Sequence, residues 1–302
     1  MTIKPTIAVL GPGGVGGLLA ALLSRSGHRV ICLARESTAE SLRKDGIQVR
    51  SRQFGEFTAP VEADTELREP VAACLVAVKQ TTLDAALSRV PAESLGDDTL
   101  LVPFLNGVEH PDALRARYDS AQVAPAAIRV ESTRVSADPV VIEQGSPFVE
   151  VDLASATAPR DRLDALAAAL TASGVTTRVT GDETATLWTK LAFLAPFALL
   201  TTRYAAPLDV VLDRHRTELE ALVAETAAVG RACGAPTDAE RLLARYDAFL
   251  PGTKSSMQRD AEEGRPLELD AIGGALLRAA EARGVAVPVA TRVVGELRAA
   301  GY

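Results

Sequence analysis

A parallel α/β sheet followed by an all-helical domain is the architecture that these 302 residues predict. Three features predict it. Apolar runs alternate with helical patterns through the first half, a glycine-rich turn follows the first run, and only alanine- and leucine-rich helical periodicity remains beyond Gly181. The boundary therefore falls at Gly181, with an α/β domain over residues 1–180 and an all-α domain over 181–302.

Residues 6–10 form a short apolar run, followed by the glycine turn and a helical pattern over 15–26. Gly27 stops that helix, because glycine takes the left-handed cap conformation at little cost. Residues 29–34 read as a second buried strand, 71–78 as a third, and 99–105 as a fourth that Pro103 interrupts. A helix is expected near 82–90. Continuous apolar strands separated by helices predict a parallel sheet covered on both faces. β-Branched stretches between 122 and 152 add strands, and a helix over 158–173 precedes a strand over 175–179. The helical half divides into 183–202, 209–233, 237–249, 268–283 and 289–300. Gly234 and Gly284 stand at helix stops, and Pro236 and Pro288 near helix starts.

Composition narrows the function classes. A hydrophobic share of 47% with 24% charged residues supports a sizeable core. Asp plus Glu number 39 against 32 Lys plus Arg, a net charge of −7 without a basic tract, and aromatic residues are only 4%. Neither nucleic acid nor an anionic membrane is an expected partner of such a surface. The three cysteines, Cys32, Cys74 and Cys233, are scattered and odd in number, which fits a reducing cytoplasm rather than a disulfide framework. The longest apolar stretch, 191–200, is about half of a bilayer span, and the opening residues lack a signal peptide's apolar region. His28, His110 and His215 lie far apart, so no metal is expected.

The glycine turn carries the strongest chemical signal. Gly11, Gly13 and Gly16 stand as G-x-G-x-x-G between a strand and a helix, with Pro12, Gly14 and Val15 between them. Glycines there permit a tight turn, close approach of a pyrophosphate and close helix–sheet packing, at a helix N-terminus that favours negative charge. A bare glycine pattern is weak evidence, but its place between strand and helix points to dinucleotide binding. The second strand ends at Arg35 and Glu36. Arg35 suits the ribose 2′-phosphate of NADP, Glu36 can serve as the ribose acceptor of NAD, and a solvated pair in a loop is the bland alternative. Lys79 and Asn106 follow the third and fourth strands, where ligands of open α/β sheets bind, although a solvated lysine and an Asn-Gly turn are the commoner meanings. In the helical half Lys190 sits among apolar residues and either snorkels to solvent or points into a closed cleft. Read alone, Ser255 and Ser256 are a helix N-cap with Asp260 one turn along, and Glu268 begins a later helix.

Taken in order, these residues resemble the ketopantoate reductase (2-dehydropantoate 2-reductase) family nearly end to end. The resemblance rests on Gly11 to Gly16, Arg35, Val-Lys79-Gln-Thr, Asn106-Gly107, Trp188-Thr-Lys190-Leu, Ser255-Ser256-Met257, Asp260 and Gly264-Arg-Pro-Leu-Glu268. It implies a Rossmann-type N-terminal domain, a helical domain for substrate and dimerisation, and NADPH-dependent reduction of a 2-keto acid to a 2-hydroxy acid. By the same resemblance Lys190 matches the catalytic lysine and Glu268 the active-site glutamate. Ser256 matches the serine that meets the substrate carboxylate, Lys79 and Asn106 the polar residues beside the cofactor, and Arg35 the 2′-phosphate contact. The glycines, with Val15, match the cofactor turn; Asn106 also borders the substrate. A homodimer and a place in pantothenate biosynthesis are compatible with it.

One departure concerns the substrate. One and two helical turns after its lysine the family carries asparagines, where this chain has Leu194 and Ala198. Apolar groups in place of amides point to a more apolar keto acid or carbonyl as the alternative to 2-dehydropantoate. A non-catalytic NADPH sensor is the other alternative, although it would need only the glycines and Arg35.

Overall fold

A computed structural model describes residues 4–302. The chain forms two compact units: the residues up to Leu105 with His110–Glu183, and Asn106–Glu109 with Thr184–Tyr302.

In the first unit, β1 (Ile7–Leu10), α1 (Gly14–Arg25), β2 (Val30–Leu33), α2 (Glu36–Asp45), β3 (Ile47–Ser51), β4 (Gly55–Ala59), β5 (Glu62–Asp64), β6 (Ala73–Val76), α3 (Leu83–Leu87) and β7 (Leu100–Pro103) follow one another. Five strands pair in parallel in the order β5-β2-β1-β6-β7. Ile7 and Val9 pack with Leu18 and Leu22 of α1, while Ala8 and Leu10 pack with Leu83 and Leu87 on the opposite face. Both faces of β1 are thus covered, which is why it reads as unbroken apolar sequence.

After α4 (His110–Arg115) come β8 (Ala126–Arg129), β9 (Ser132–Ala137), β10 (Val140–Gln144), β11 (Glu150–Ala154), α5 (Arg160–Ala172) and β12 (Thr176–Thr180). These strands complete two smaller sheets, β4-β3-β10-β9 and β12-β11-β8. Residues 36–70, for which the sequence suggested no element, hold α2, β3, β4 and β5. Strand β3 alternates, with Ile47 and Val49 buried and Arg50 exposed, a signal only a few residues long and easily passed over. The helix expected near 82–90 contracts to a 3₁₀ turn and the five-residue α3. Gly27 does end α1's turn, with φ +90°.

The second unit is helical, from α6 (Glu183–Arg203) through α7 (Leu208–Arg214), α8 (Arg216–Ala232), α9 (Ala239–Asp247), α10 (Ser256–Glu262), α11 (Ala275–Arg283) and α12 (Pro288–Ala299). The single helix expected over 209–233 breaks at His215, whose φ of −131° is not helical. Gly234 and Gly284 end their helices with φ +93° and +64°. Helix α6 has the length and hydropathy to cross a membrane, but 67% of that window is buried within the fold. Its apolar character is that of a core helix, joined by Leu222, Tyr246, Ile272 and Val294 from the helices around it.

Candidate active site

The turn after β1 has the geometry that close nucleotide approach requires. Gly11 has φ +85°, and a Cβ there would come within 2.5 Å of the Val78 side chain. A Cβ on Gly16 would run into the Gly11 carbonyl oxygen and lie 2.9 Å from the Ala77 methyl, so this glycine lets α1 seat on the sheet. Around Gly13 nothing stands within 4 Å, leaving that backbone open. Gly13 is also the N-cap of α1 and supplies no side-chain bond, so the first N–H groups of the helix are uncapped by side chain. An open backbone at an uncapped helix start fits a pyrophosphate. Gly14 meets β9 instead: Ser132 Oγ donates to its carbonyl at 2.8 Å. Val15 packs, partly buried, against the core of the unit. Sequence reasoning missed the approach of Ser132, because nothing local links residue 132 to a turn at 14.

At the end of β2, Arg35 is exposed at the N-cap of α2. The Glu36 carboxylate accepts a bond from Arg43 Nη2 at 3.0 Å. The acid that competed with Arg35 for the ribose is therefore already engaged. Lys79 is half-buried at the N-cap of the 3₁₀ turn after β6, and its carbonyl accepts from the Thr82 amide at 3.0 Å.

In the second unit the fold joins residues that the sequence keeps far apart. Asn106 Nδ2 donates to Glu268 Oε2 at 2.8 Å, across a separation of 162 residues. Glu268 is only 7% exposed. The link is reinforced at Gly107, with φ +88°, where a Cβ would come within 2.5 Å of the Ala271 carbonyl oxygen. The Asn106-Gly107 step is thus a docking point rather than a plain turn. Glu268 also lies just before a π-helical turn, Asp270–Gly274, which leads into α11; such turns often mark functional positions.

Lys190 lies half-buried on α6, and Leu194, one turn later, is also partly buried. Ala198 requires a correction. It is 0% exposed, so its methyl offers no surface to a ligand. From Ala195 to Thr202 every residue of α6 is buried, and this stretch belongs to the core. Neighbouring serines divide into two roles. Ser255 caps α10, accepting from the Gln258 amide at 3.0 Å and meeting Thr201 Oγ1 at 2.8 Å, whereas Ser256 is exposed. Asp260, 3% exposed, pairs with Arg265 at 2.8 Å.

Comparisons with known proteins identify the family. Residues 7–150 match the model of "Ketopantoate reductase PanE/ApbA", and residues 182–301 that of "Ketopantoate reductase PanE/ApbA C terminal". The chain belongs to the ketopantoate reductase family. Members of this family are oxidoreductases. A 2-dehydropantoate 2-reductase from Caulobacter vibrioides is 29% identical over 300 residues, covering 98% of this chain and 99% of that one. The crystal structure of the 2-dehydropantoate 2-reductase from Geobacter metallireducens superposes with a TM-score of 0.89 at 28% identity, covering 98% and 99% of the two chains. A ternary structure of D-mandelate dehydrogenase with NADH and anilino(oxo)acetate shares the fold, with a TM-score of 0.86 at 20% identity over 97% of each chain. The Rossmann-type unit and the helical unit of this chain are those of the family.

Proposed function

We propose that this protein is an NADPH-dependent reductase of 2-keto acids, of the 2-dehydropantoate 2-reductase type, which accepts a plain apolar tail at least as well as a hydroxylated one. The observation that carries the reading is Glu268, a carboxylate 7% exposed and held by Asn106 in the unit that also carries Lys190. A protein that only sensed the nucleotide would have no use for it. The exposed Arg35, with Glu36 taken by Arg43, supports NADPH over NADH. NADPH would rest on Gly11, Gly13, Gly14, Val15 and Gly16, with Arg35 at its 2′-phosphate and Lys79 and Asn106 beside it.

The nicotinamide, when bound, supplies the hydride that C2 of the keto acid receives. The Lys190 ammonium donates a hydrogen bond to the keto oxygen, offsets the negative charge that grows there and delivers the proton that completes the hydroxyl. Acid catalysis of this kind contributes about 10²–10⁴-fold. Ser256 offers its hydroxyl to the substrate carboxylate. Glu268, fixed by Asn106, keeps the ammonium or a substrate hydroxyl in place.

The tail preference rests on Leu194. The groups that might otherwise serve a distal substrate hydroxyl are engaged: Thr201 Oγ1 donates to the Phe197 carbonyl at 2.8 Å, and Lys254 bonds Glu262 at 2.8 Å. A substrate hydroxyl desolvated beside Leu194 without a partner loses about 1–3 kcal/mol. The reading places the enzyme in the cytoplasm, where Cys32, Cys74 and Cys233 remain thiols; burial pushes Cys32 and Cys74 up to about 12, so neither is a nucleophile.

The experiment is NADPH oxidation by the purified protein with ketopantoate, 2-ketoisovalerate and phenylpyruvate. Turnover of 2-ketoisovalerate at a kcat/KM equal to or above that of ketopantoate is expected, and Leu194→Asn should move the ratio toward ketopantoate by about tenfold. Strong preference of the unmodified enzyme for ketopantoate overturns the tail assignment. Absence of turnover with every 2-keto acid overturns the reductase and leaves a nucleotide-binding protein.

A further inference from the structure

Strand β9 brings a second arginine to the cofactor side of the first unit. Its first residue, Ser132, lies against the start of α1, with the hydroxyl on the Gly14 carbonyl and no room for a side chain on Gly14. In the antiparallel ladder with β10, Ser132 stands opposite Gln144 and Arg134 opposite Ile142. Directly opposed residues project from the same face. Ile142 is fully buried and points at α1, since a Cβ on Gly17 would come within 2.7 Å of it. Arg134 therefore leaves β9 on the α1 side, one alternation beyond the residue that touches Gly14. The Glu131 carboxylate lies 3.0 Å from the position a Cβ on Gly145 would take.

The other landmark on this side is Arg35, at the end of the strand next to β1. Desolvation and, to a lesser extent, the like charge of Arg35 hold the Arg134 guanidinium below its ordinary value, in keeping with the placement that the ladder and the Gly14 contact give it. Among the described residues, neither has a carboxylate partner; Glu36, the nearest acid in sequence to Arg35, is on Arg43. Like charges on these two arginines repel, and no carboxylate bonded to either offsets that repulsion among the described residues. A phosphate monoester, with its near-double negative charge and several acceptor oxygens, would.

We propose that Arg134 is a specificity residue for NADPH, gripping the ribose 2′-phosphate from the β9 side while Arg35 holds it from the end of β2. This rests on the NADPH reading above and adds to it a residue on a different sheet. Two planar forks approaching from separate elements can engage different phosphate oxygens, which one arginine on a mobile side chain does less well.

The test is calorimetric titration of the full chain with 2′,5′-ADP and with 5′-AMP, which differ by the 2′-phosphate alone. The unmodified protein should bind 2′,5′-ADP far more tightly. In Arg134→Ala the affinity for 2′,5′-ADP should fall about ten- to a hundredfold, as for loss of a charge-assisted bond, with that for 5′-AMP unchanged. Arg134→Lys, which keeps the charge but loses the fork, should lie between. If Arg134→Ala binds 2′,5′-ADP as the unmodified protein does, while Arg35→Ala loses the discrimination, the role of Arg134 is overturned and the NADPH reading stands. If the unmodified protein does not distinguish the two nucleotides, the NADPH reading falls and the role of Arg134 falls with it. An equal loss of affinity for both nucleotides in Arg134→Ala also overturns the proposal, because that pattern reports a general disturbance of the turn.

Discussion

Gly11 through Gly16 make a tight turn from adjacent residues, while Glu268 is held by Asn106 from 162 positions away. The turn's features are backbone properties: a positive φ at Gly11, an open face at Gly13 and close packing at Gly16. Each follows from the absence of a side chain at a known place between a strand and a helix. The carboxylate and amide have no such local logic. Their separate sequence contexts read as the start of a helix and an Asn-Gly turn, and the hydrogen bond between them, with the packing of Gly107 on Ala271, joins them. A glycine turn can thus be encoded locally, whereas the pairing of Asn106 with Glu268 depends on the second unit being folded.

The sharpest way to break this comparison is Lys190→Ala. Turnover should fall about 10²–10⁴-fold while affinity for NADPH stays close to normal, because the glycine turn belongs to the other unit. Steady-state kinetics and nucleotide titration check it. Near-normal turnover would show that the lysine only snorkels.

A smaller effect separates the glycines within the turn. Gly16→Ala should destabilise the protein by about 1–3 kcal/mol, since the added methyl meets the Gly11 carbonyl and the Ala77 and Val9 side chains. Gly13→Ala meets nothing within 4 Å, and should leave stability unchanged while weakening NADPH binding about tenfold or more. Denaturant unfolding and titration of the two variants distinguish packing from ligand approach. Equal losses of stability would mean that the turn is not divided in this way.

The smallest expected effect asks whether the two units are also held alike by charge. Asp152 in the first is buried, which raises its pKa, but Arg178 and Arg129 outweigh that and hold it below the usual carboxylate range. Glu218 in the second is likewise raised by burial and lowered further by Tyr204, Arg292 and Arg203. A depressed folded-state pKa gives stability that is complete above the unfolded value, about pH 4, and is lost as pH falls through the lower folded value. Asp152→Asn and Glu218→Gln should therefore each cost about 1 kcal/mol at neutral pH, with the difference from the unmodified protein shrinking below about pH 4. Unfolding free energies measured across that range decide it; a penalty independent of pH would assign the loss to packing.

The legibility of the chain follows the range of its interactions. Strands β1, β2, β6 and β7 were readable because burial on both faces demands unbroken apolar runs. Strands β3 to β5 were not, because short half-exposed strands leave too little pattern. Of the candidate site, the glycines stand out alone, and Lys190, Ser256 and Glu268 are proposed through the spacing they share with a family. The fate of Ala198 could not be foreseen, because helical spacing puts it on the Lys190 side while the packing around α6 seals it off completely.

By itself the sequence determined where helices stop, at glycines with a positive φ, where the tight glycine turn lies, and which residues form continuous buried strands. These are matters of single-residue sterics and nearest-neighbour periodicity. The tertiary structure alone decided that Glu36 belongs to Arg43, that Ser255 caps a helix while Ser256 stays exposed, and that Asn106 fixes Glu268. It also decided that β9 lies against the start of α1, with Arg134 leaving the strand on the α1 side. A hydrogen bond or a like-charge approach reaches only a few ångströms. Which side chains come within that reach is set by strand register and helix packing, and no local pattern of residues records it.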